Sequence, residues 1–103
     1  TAIQCLTDDI AAGVIAAATE LSIKLPSELS ICGFDNFGLA RKISPALTTA
    51  TLPAEEMAEM ATRQVIKALE RKEQDHEILF DCEVIYRNST APLGGETPKY
   101  AAK

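Results

Sequence analysis

The sequence lacks the residue patterns of most catalytic and metal-binding sites. Its 103 residues contain no glycine-rich phosphate loop, no set of metal ligands at a recognisable spacing and no Ser/His/Asp arrangement. The single histidine, His76, lies between Asp75 and Glu77 in a charged turn, where a surface side chain is expected rather than a general base. We therefore predict that this chain is not an enzyme, binds no metal and needs no cofactor.

The chain also lacks a basic excess and a long apolar run. Its formal net charge is −5, whereas a segment that binds the phosphates of nucleic acid needs a basic face. No window approaches the roughly 18 apolar residues of a membrane-spanning helix, and the first residues do not form a secretory signal. We predict no membrane contact and expect any DNA contact to lie outside these residues.

Paired cysteines are absent as well. Cys5, Cys32 and Cys82 are odd in number and far apart, with no C-x-x-C spacing. Each lies in a predicted strand, a position typical of small buried side chains. The pattern favours free core thiols over a disulfide or a metal site, and hence a reducing, cytoplasmic location.

What the sequence does contain is an alternation of apolar strands and helices. The predicted strands are Thr1–Leu6, Leu29–Phe34, Thr48–Leu52 and Ile78 to about Arg87, and the predicted helices are Asp8–Leu21 and 53–71. Residues 37–44 are expected to form a surface connection, and a loose tail is expected from Asn88. The strand–helix–strand order predicts an α/β fold with a parallel sheet and flanking helices. These elements do not close one core, so we expect a piece of a longer protein.

The first predicted helix is apolar on every side. Ile10, Ala11, Val14, Ile15 and Ala16 point in different directions around it, so more than one of its faces must be covered. One face is expected to pack on the sheet. The other needs another part of the chain or a second subunit.

Acidic residues follow the first two strands. Asp8 and Asp9 come after the first strand, and Asp35 and Asn36 come after the second. Ligands of open parallel sheets collect at the carboxyl ends of strands, where a carboxylate accepts hydrogen bonds from hydroxyl or ring N–H groups. The structural alternatives are capping of the following helix, with Thr7 or Asp8 as the N-cap, and a turn-forming role for Asn36.

Five motifs in this order resemble the carboxyl-terminal part of the effector-binding core of the LacI/GalR family of bacterial transcriptional regulators. They are Thr7–Gly13, Leu25–Asn36, Ser44–Thr49, Pro53–Met57 and Tyr86–Pro92. The resemblance implies Rossmann-like lobes of the type I periplasmic binding proteins, with an effector in the cleft between them. It assigns residues 1–51 to the C-terminal lobe, 52–77 to the crossover and a helix of the N-terminal lobe, 78–90 to a returning strand and 91–103 to a flexible tail.

The same resemblance implies which residues carry the function. It places the effector-contacting aspartate on Asp8, beside Thr7 where the family has Asn, and cleft-lining positions near Leu52 and Ala54. It places the homodimer interface on the outer face of the first helix, at Ile15 and Ala16. The expected function is the effector-sensing and dimerisation part of a regulator that binds a sugar or sugar acid and reaches operator DNA through a headpiece absent from this chain.

Two other protein classes fit parts of the pattern. A periplasmic sugar-binding component of a transporter would share the fold and the cleft, but three free cysteines and the apolar helix count against it. A phosphoacceptor receiver domain would need a further strand-end aspartate and a late lysine that the sequence does not place.

Overall fold

The computed structural model of the chain describes residues 1–72 and 77–93. It divides into two compact units: Thr1–Thr51 together with the segment that begins at Glu83, and Leu52–Cys82. The predicted turn around His76 and residues 94–103 of the predicted tail lie outside the described residues. Within those residues, no helix is long and apolar enough to cross a membrane.

The first unit is a small sheet with helices. Its elements are β1 (Ala2–Gln4), α1 (Asp8–Glu20), β2 (Ser30–Cys32), α2 (Leu39–Lys42), β3 (Thr49–Ala50) and β4 (Val84–Ile85). β1 and β2 are parallel, with Ile3 opposite Ile31, and a parallel bridge from Cys32 to Thr48 leads on to β3. β4 then pairs antiparallel with β3. The α/β prediction is confirmed, although the strands are shorter than the sequence suggested.

The core of the first unit lies between the sheet and the two helices. α1 contacts both β2 and α2. The buried apolar side chains that cluster there are Cys5, Ala11, Ile15, Ile31, Ala40 and Leu47, of which Ala11, Ile31, Ala40 and Leu47 are fully enclosed. Burial of Ala40 in α2 shows that residues 37–44, predicted to be a surface connection, contribute to the core.

The buried face of α1 differs from the prediction. Ile15 is only 5% exposed and packs in the core beside Ala11, whereas Ala16 is exposed. The assignment of Ile15 to the outer face of the helix is therefore wrong, because its side chain points toward the sheet. The exposed apolar residues of α1 are Ile10, Ala16 and Ala17.

The end of the chain corrects two further expectations. Only Val84 and Ile85 of the predicted strand 78–87 form a strand. Conversely, the segment after it is not loose: Ser89 is completely buried, and Ile31 N donates a hydrogen bond of 2.8 Å to its carbonyl oxygen. The described end of the chain is thus tied to the edge of β2.

All three cysteines lie within the described ranges and are free thiols, but only Cys5 is buried. Burial raises the pKa of the Cys5 thiol, with a smaller effect from Cys32, and burial also raises the pKa of Cys32. Cys82 is exposed and lies outside any strand, so the prediction of a core thiol is wrong for this residue.

The described part of the second unit contains one helix, α3 (Ala54–Leu69), which begins after Pro53 with Glu55 and Glu56 in its first turn. Negative side chains at this end stabilise the helix, because they interact favourably with the positive end of the helix dipole. None of the residues of α3, all of which the structure describes, is buried. Val65, Ile66 and Leu69 are among its exposed apolar side chains, so the amphipathic stripe predicted from the sequence is present but uncovered within this unit.

Candidate functional site

The polar residues predicted to form a site gather at the carboxyl ends of β1 and β2. The two strands are parallel and adjacent, so Thr7–Asp8 and Asp35–Asn36 leave the sheet at the same edge. The main chain also joins them directly, because Asp8 N donates a hydrogen bond of 2.9 Å to the carbonyl oxygen of Phe34. Parallel pairing thus brings together residues that are 27 positions or more apart in the sequence.

Asp8 is the most enclosed polar residue of this edge. It is 1% exposed. Its Oδ1 accepts a hydrogen bond of 2.6 Å from the Thr49 hydroxyl, and its Oδ2 accepts one of 2.9 Å from the backbone N–H of Phe37. A Cβ atom on Gly33 would overlap with Asp8 Oδ1 and would lie 2.9 Å from Leu47 Cδ2, so only glycine leaves room for this carboxylate. Asp8 therefore ties α1 to β3 and to the turn after β2.

Of the two N-cap candidates, Thr7 and Asp8, Thr7 is the residue that caps α1. Its backbone is extended, and its Oγ1 accepts a hydrogen bond of 3.3 Å from Ile10 N at the first turn of α1. This geometry is that of an N-cap residue, whose side-chain oxygen satisfies an N–H that has no partner within the helix.

The turn after β2 is formed by two residues in an unusual backbone conformation. Asp35 has φ 110° and Asn36 has φ 56°, both in the region that side chains with a Cβ rarely adopt. Asp35 N donates to Ala50 O at 2.9 Å, and Asn36 N donates to Thr49 Oγ1 at 3.3 Å. The structural role considered for Asn36 agrees with these contacts.

The carboxylate of Asp35 differs from that of Asp8 because it has no partner. Asp35 is half-buried, and no group within residues 1–72 and 77–93 donates a hydrogen bond to its side chain. Beside it, Phe34 lines a depression of about 360 Å³ together with Gln4, Cys5 and Leu6. The edge of the sheet thus combines one unpaired carboxylate with an apolar wall.

Sequence reasoning missed two members of this site, Thr49 and Arg87. Arg87 donates from Nη2 to Asn36 Oδ1 and from Nη1 to Leu47 O, each at 2.7 Å. Burial lowers the pKa of the Arg87 guanidinium, Arg41 lowers it further, and Asp8 opposes both effects. Arginine keeps its charge despite such a shift. Its only signal in the sequence was its place in the Tyr86–Pro92 motif.

The remaining predicted ligand contacts belong to the second unit. Leu52 and Ala54 belong to the second unit, where Ala54 N donates a hydrogen bond of 2.8 Å to Leu52 O at the start of α3. Their role as ligand contacts stays a prediction. Among the residues that the structure describes, no group of three or more His, Cys, Asp or Glu side chains is arranged to hold a metal ion.

The fold and this strand-end site define a class of binding protein rather than a particular one. The family model for the periplasmic binding protein-like domain matches residues 1–90. The chain belongs to this family.

Comparison with individual proteins narrows the class to regulators. The chain is 37% identical over 92 residues to the HTH-type transcriptional repressor PurR of Serratia proteamaculans, covering 88% of this chain and 27% of that protein. It is 35% identical over 97 residues to the HTH-type transcriptional regulator MalR of Streptomyces coelicolor, covering 93% and 28%. The chain thus spans about a quarter of the length of these relatives.

A solved structure gives the same result. A LacI family transcriptional regulator from Enterococcus faecium, with bound ribose, superimposes with a TM-score of 0.75 at 29% identity, covering 90% of this chain and 35% of that one. The predicted resemblance to the effector-binding region of LacI/GalR regulators is confirmed.

Proposed function

We propose that this chain is the effector-sensing part of a cytoplasmic LacI-type transcriptional regulator, which reaches operator DNA through a headpiece outside these residues. The names of its relatives support a regulator over a transporter component. The single observation that carries the site assignment is the contrast between two carboxylates. Asp8 is enclosed and hydrogen-bonded, whereas Asp35 is half-buried and unpaired just after the carboxyl end of β2.

On this proposal Asp35, rather than Asp8, contacts the effector. A carboxylate only accepts hydrogen bonds, so it selects hydroxyl or N–H groups and disfavours a second negative charge. The apolar side chains of Leu6 and Phe34 suit the C–H face of a ring. A neutral sugar meets both requirements better than a sugar acid, and the bound ribose of the Enterococcus faecium regulator supports this class.

Calorimetric titration of the full-length protein with ribose, sucrose and a sugar acid tests the proposal. Replacement of Asp35 by Asn should weaken binding of the preferred sugar by about 1.5 to 3 kcal/mol, because a charge-assisted hydrogen bond is lost. Asp9→Asn, which changes an exposed carboxylate near the same edge, is the matched control and should leave affinity unchanged. Equal affinities for Asp35→Asn and wild type would contradict the assignment.

We also propose that the exposed face of α1 forms a homodimer interface. Ile10, Ala16 and Ala17 are exposed there, and a Cβ atom on Gly13 would meet nothing within 4 Å. Small residues let a second copy approach closely, and a buried charge would oppose it.

Sedimentation of the full-length protein tests the interface. Ala16→Asp should shift the protein toward monomer, whereas Ser27→Asp, which adds the same charge in an exposed turn, should not. An intact dimer in the Ala16→Asp variant would place the interface elsewhere.

A further inference from the structure

We propose that Arg87 is a positioning residue of the effector site, whose guanidinium holds the Asp35–Asn36 turn in the conformation that presents the Asp35 carboxylate. The inference rests on the proposed function of Asp35. It gives Arg87, which lies in the Tyr86–Pro92 motif, a role in effector binding.

Arg87 connects the Asp35–Asn36 turn to the segment just before β3. One Nη atom donates to the carbonyl oxygen of Leu47, just before β3, and the other donates to the Asn36 side chain, each at 2.7 Å. The guanidinium is planar and rigid, so its two donors fix both acceptors at once. Its own backbone is anchored, because Arg87 N donates to Thr48 Oγ1 at 2.9 Å.

The turn needs such support because its backbone is unfavourable. Asp35 and Asn36 have consecutive positive φ angles, which persist only where the surroundings impose them. The backbone N–H groups of the turn and of the residue after it donate hydrogen bonds to Ala50 O, Thr49 Oγ1 and Asp8 Oδ2. Arg87 is the only described residue that donates a hydrogen bond to the Asn36 side chain, so it is the side-chain contact that holds the turn at Asn36.

Lysine cannot replace this contact. A single ammonium is a point charge on a flexible stem and does not span the two acceptors in fixed geometry. Arg87→Lys keeps the charge and removes the bridge. Arg41→Lys is the matched control, because Arg41 is exposed and is close enough to lower the pKa of Arg87.

Amide hydrogen exchange of the full-length protein without ligand tests the positioning role. In Arg87→Lys, the protection of the Asn36 and Phe37 amides should fall by about tenfold or more while that of Ile31 and of α1 stays within about twofold. Asn36→Gly, which removes the acceptor and tolerates the positive φ, should lower the protection of Phe37 in the same way. Unchanged protection at Asn36 and Phe37 in Arg87→Lys, or an equal fall throughout the first unit, would overturn the proposal.

Titration with ribose links the turn to binding. We expect Arg87→Lys to weaken ribose binding by about tenfold, with Arg41→Lys unchanged. If Asp35→Asn weakens binding and Arg87→Lys does not, the positioning role fails while the proposed function stands. If Asp35→Asn has no effect, the proposed function fails. Should the wild-type protein not bind ribose, the exchange ratios alone decide whether Arg87 positions the turn.

Discussion

The two long helices of this chain differ in a way that their sequences do not suggest. α1, apolar on all sides, buries Asp8, Ala11, Ile15 and Ala18 against its own unit. α3, with the clearer amphipathic stripe, buries none of its described residues. A periodic apolar stripe therefore shows which face of a helix can be buried, but not whether the residues that bury it belong to the same unit.

The largest expected difference between the helices lies in their apolar side chains. Ile15→Ala should lower the free energy of unfolding by about 2 to 4 kcal/mol, because it leaves a cavity in the core of the first unit. Val65→Ala in α3, where the side chain is 60% exposed, should cost no more than about 0.5 kcal/mol. Urea unfolding of both variants measures the contrast. Equal losses would mean that the apolar face of α3 is covered as tightly as that of α1.

The next contrast concerns the acidic residues in the first turn of each helix. Asp8→Ala should destabilise the protein by about 1.5 to 3 kcal/mol, since the Thr49 hydroxyl and the Phe37 N–H both lose a charged acceptor. Glu55→Ala removes only a favourable helix-dipole interaction of about 0.3 to 1 kcal/mol. Thermal unfolding at neutral pH compares the two. A loss for Asp8→Ala no larger than that for Glu55→Ala would show that the buried contacts contribute little.

A smaller effect is expected at the helix cap. Thr7→Ala should lower the free energy of unfolding by about 1 kcal/mol, because Ile10 N loses its hydrogen-bond acceptor. α3 differs from α1 here, since no side chain caps its first turn. Thr62→Ala is the matched control, since the Thr62 hydroxyl only donates to Ala58 O within an exposed helix surface. Helix-specific exchange protection distinguishes the variants, and equal protection of α1 in wild type and Thr7→Ala would contradict the capping role.

The smallest effect is expected for the ion pair on α3. Arg63 Nη2 lies 2.6 Å from Glu59 Oε1, four residues earlier in the helix, and both side chains are largely exposed. Arg63→Ala should therefore cost about 0.3 to 0.5 kcal/mol. Repeating the unfolding measurement at 1 M salt should abolish this difference. A larger, salt-resistant loss would indicate that α3 is less exposed than the structure shows.

Elements with strong local signals were predicted from the sequence, and contacts between distant residues were not. α1 begins at Asp8 as predicted, because Thr7 and the acidic first turn mark its start locally. The inward direction of Ile15 could not be predicted, since a helix that is apolar all round has no preferred face in its sequence. The length of β4 was overestimated, because the alternation of apolar and polar residues continues through residues that pair with no other strand.

The candidate site shows the same division. The strand-end positions of Asp8 and Asp35 follow from hydrophobic runs that stop abruptly. The hydrogen bond to the Asp8 carboxylate comes from Thr49, 41 residues away, and the contact to the Asn36 side chain comes from Arg87, 51 residues away. No local pattern encodes partners at that separation, so capping and ligand contact could not be separated for Asp8.

The burial of Ser89 against β2 has a consequence for the order of events during protein synthesis. Ser89 accepts from the N–H of Ile31 through its carbonyl oxygen and donates to the carbonyl oxygen of Ile31 through its hydroxyl, across 58 residues of chain. Ribosomes add about 5 to 20 residues per second, so Ile31 is made roughly 3 to 12 s before Ser89. During that interval the N–H and carbonyl groups of Ile31 at this edge of β2 lack their final partner and can pair with another strand, which favours mispairing.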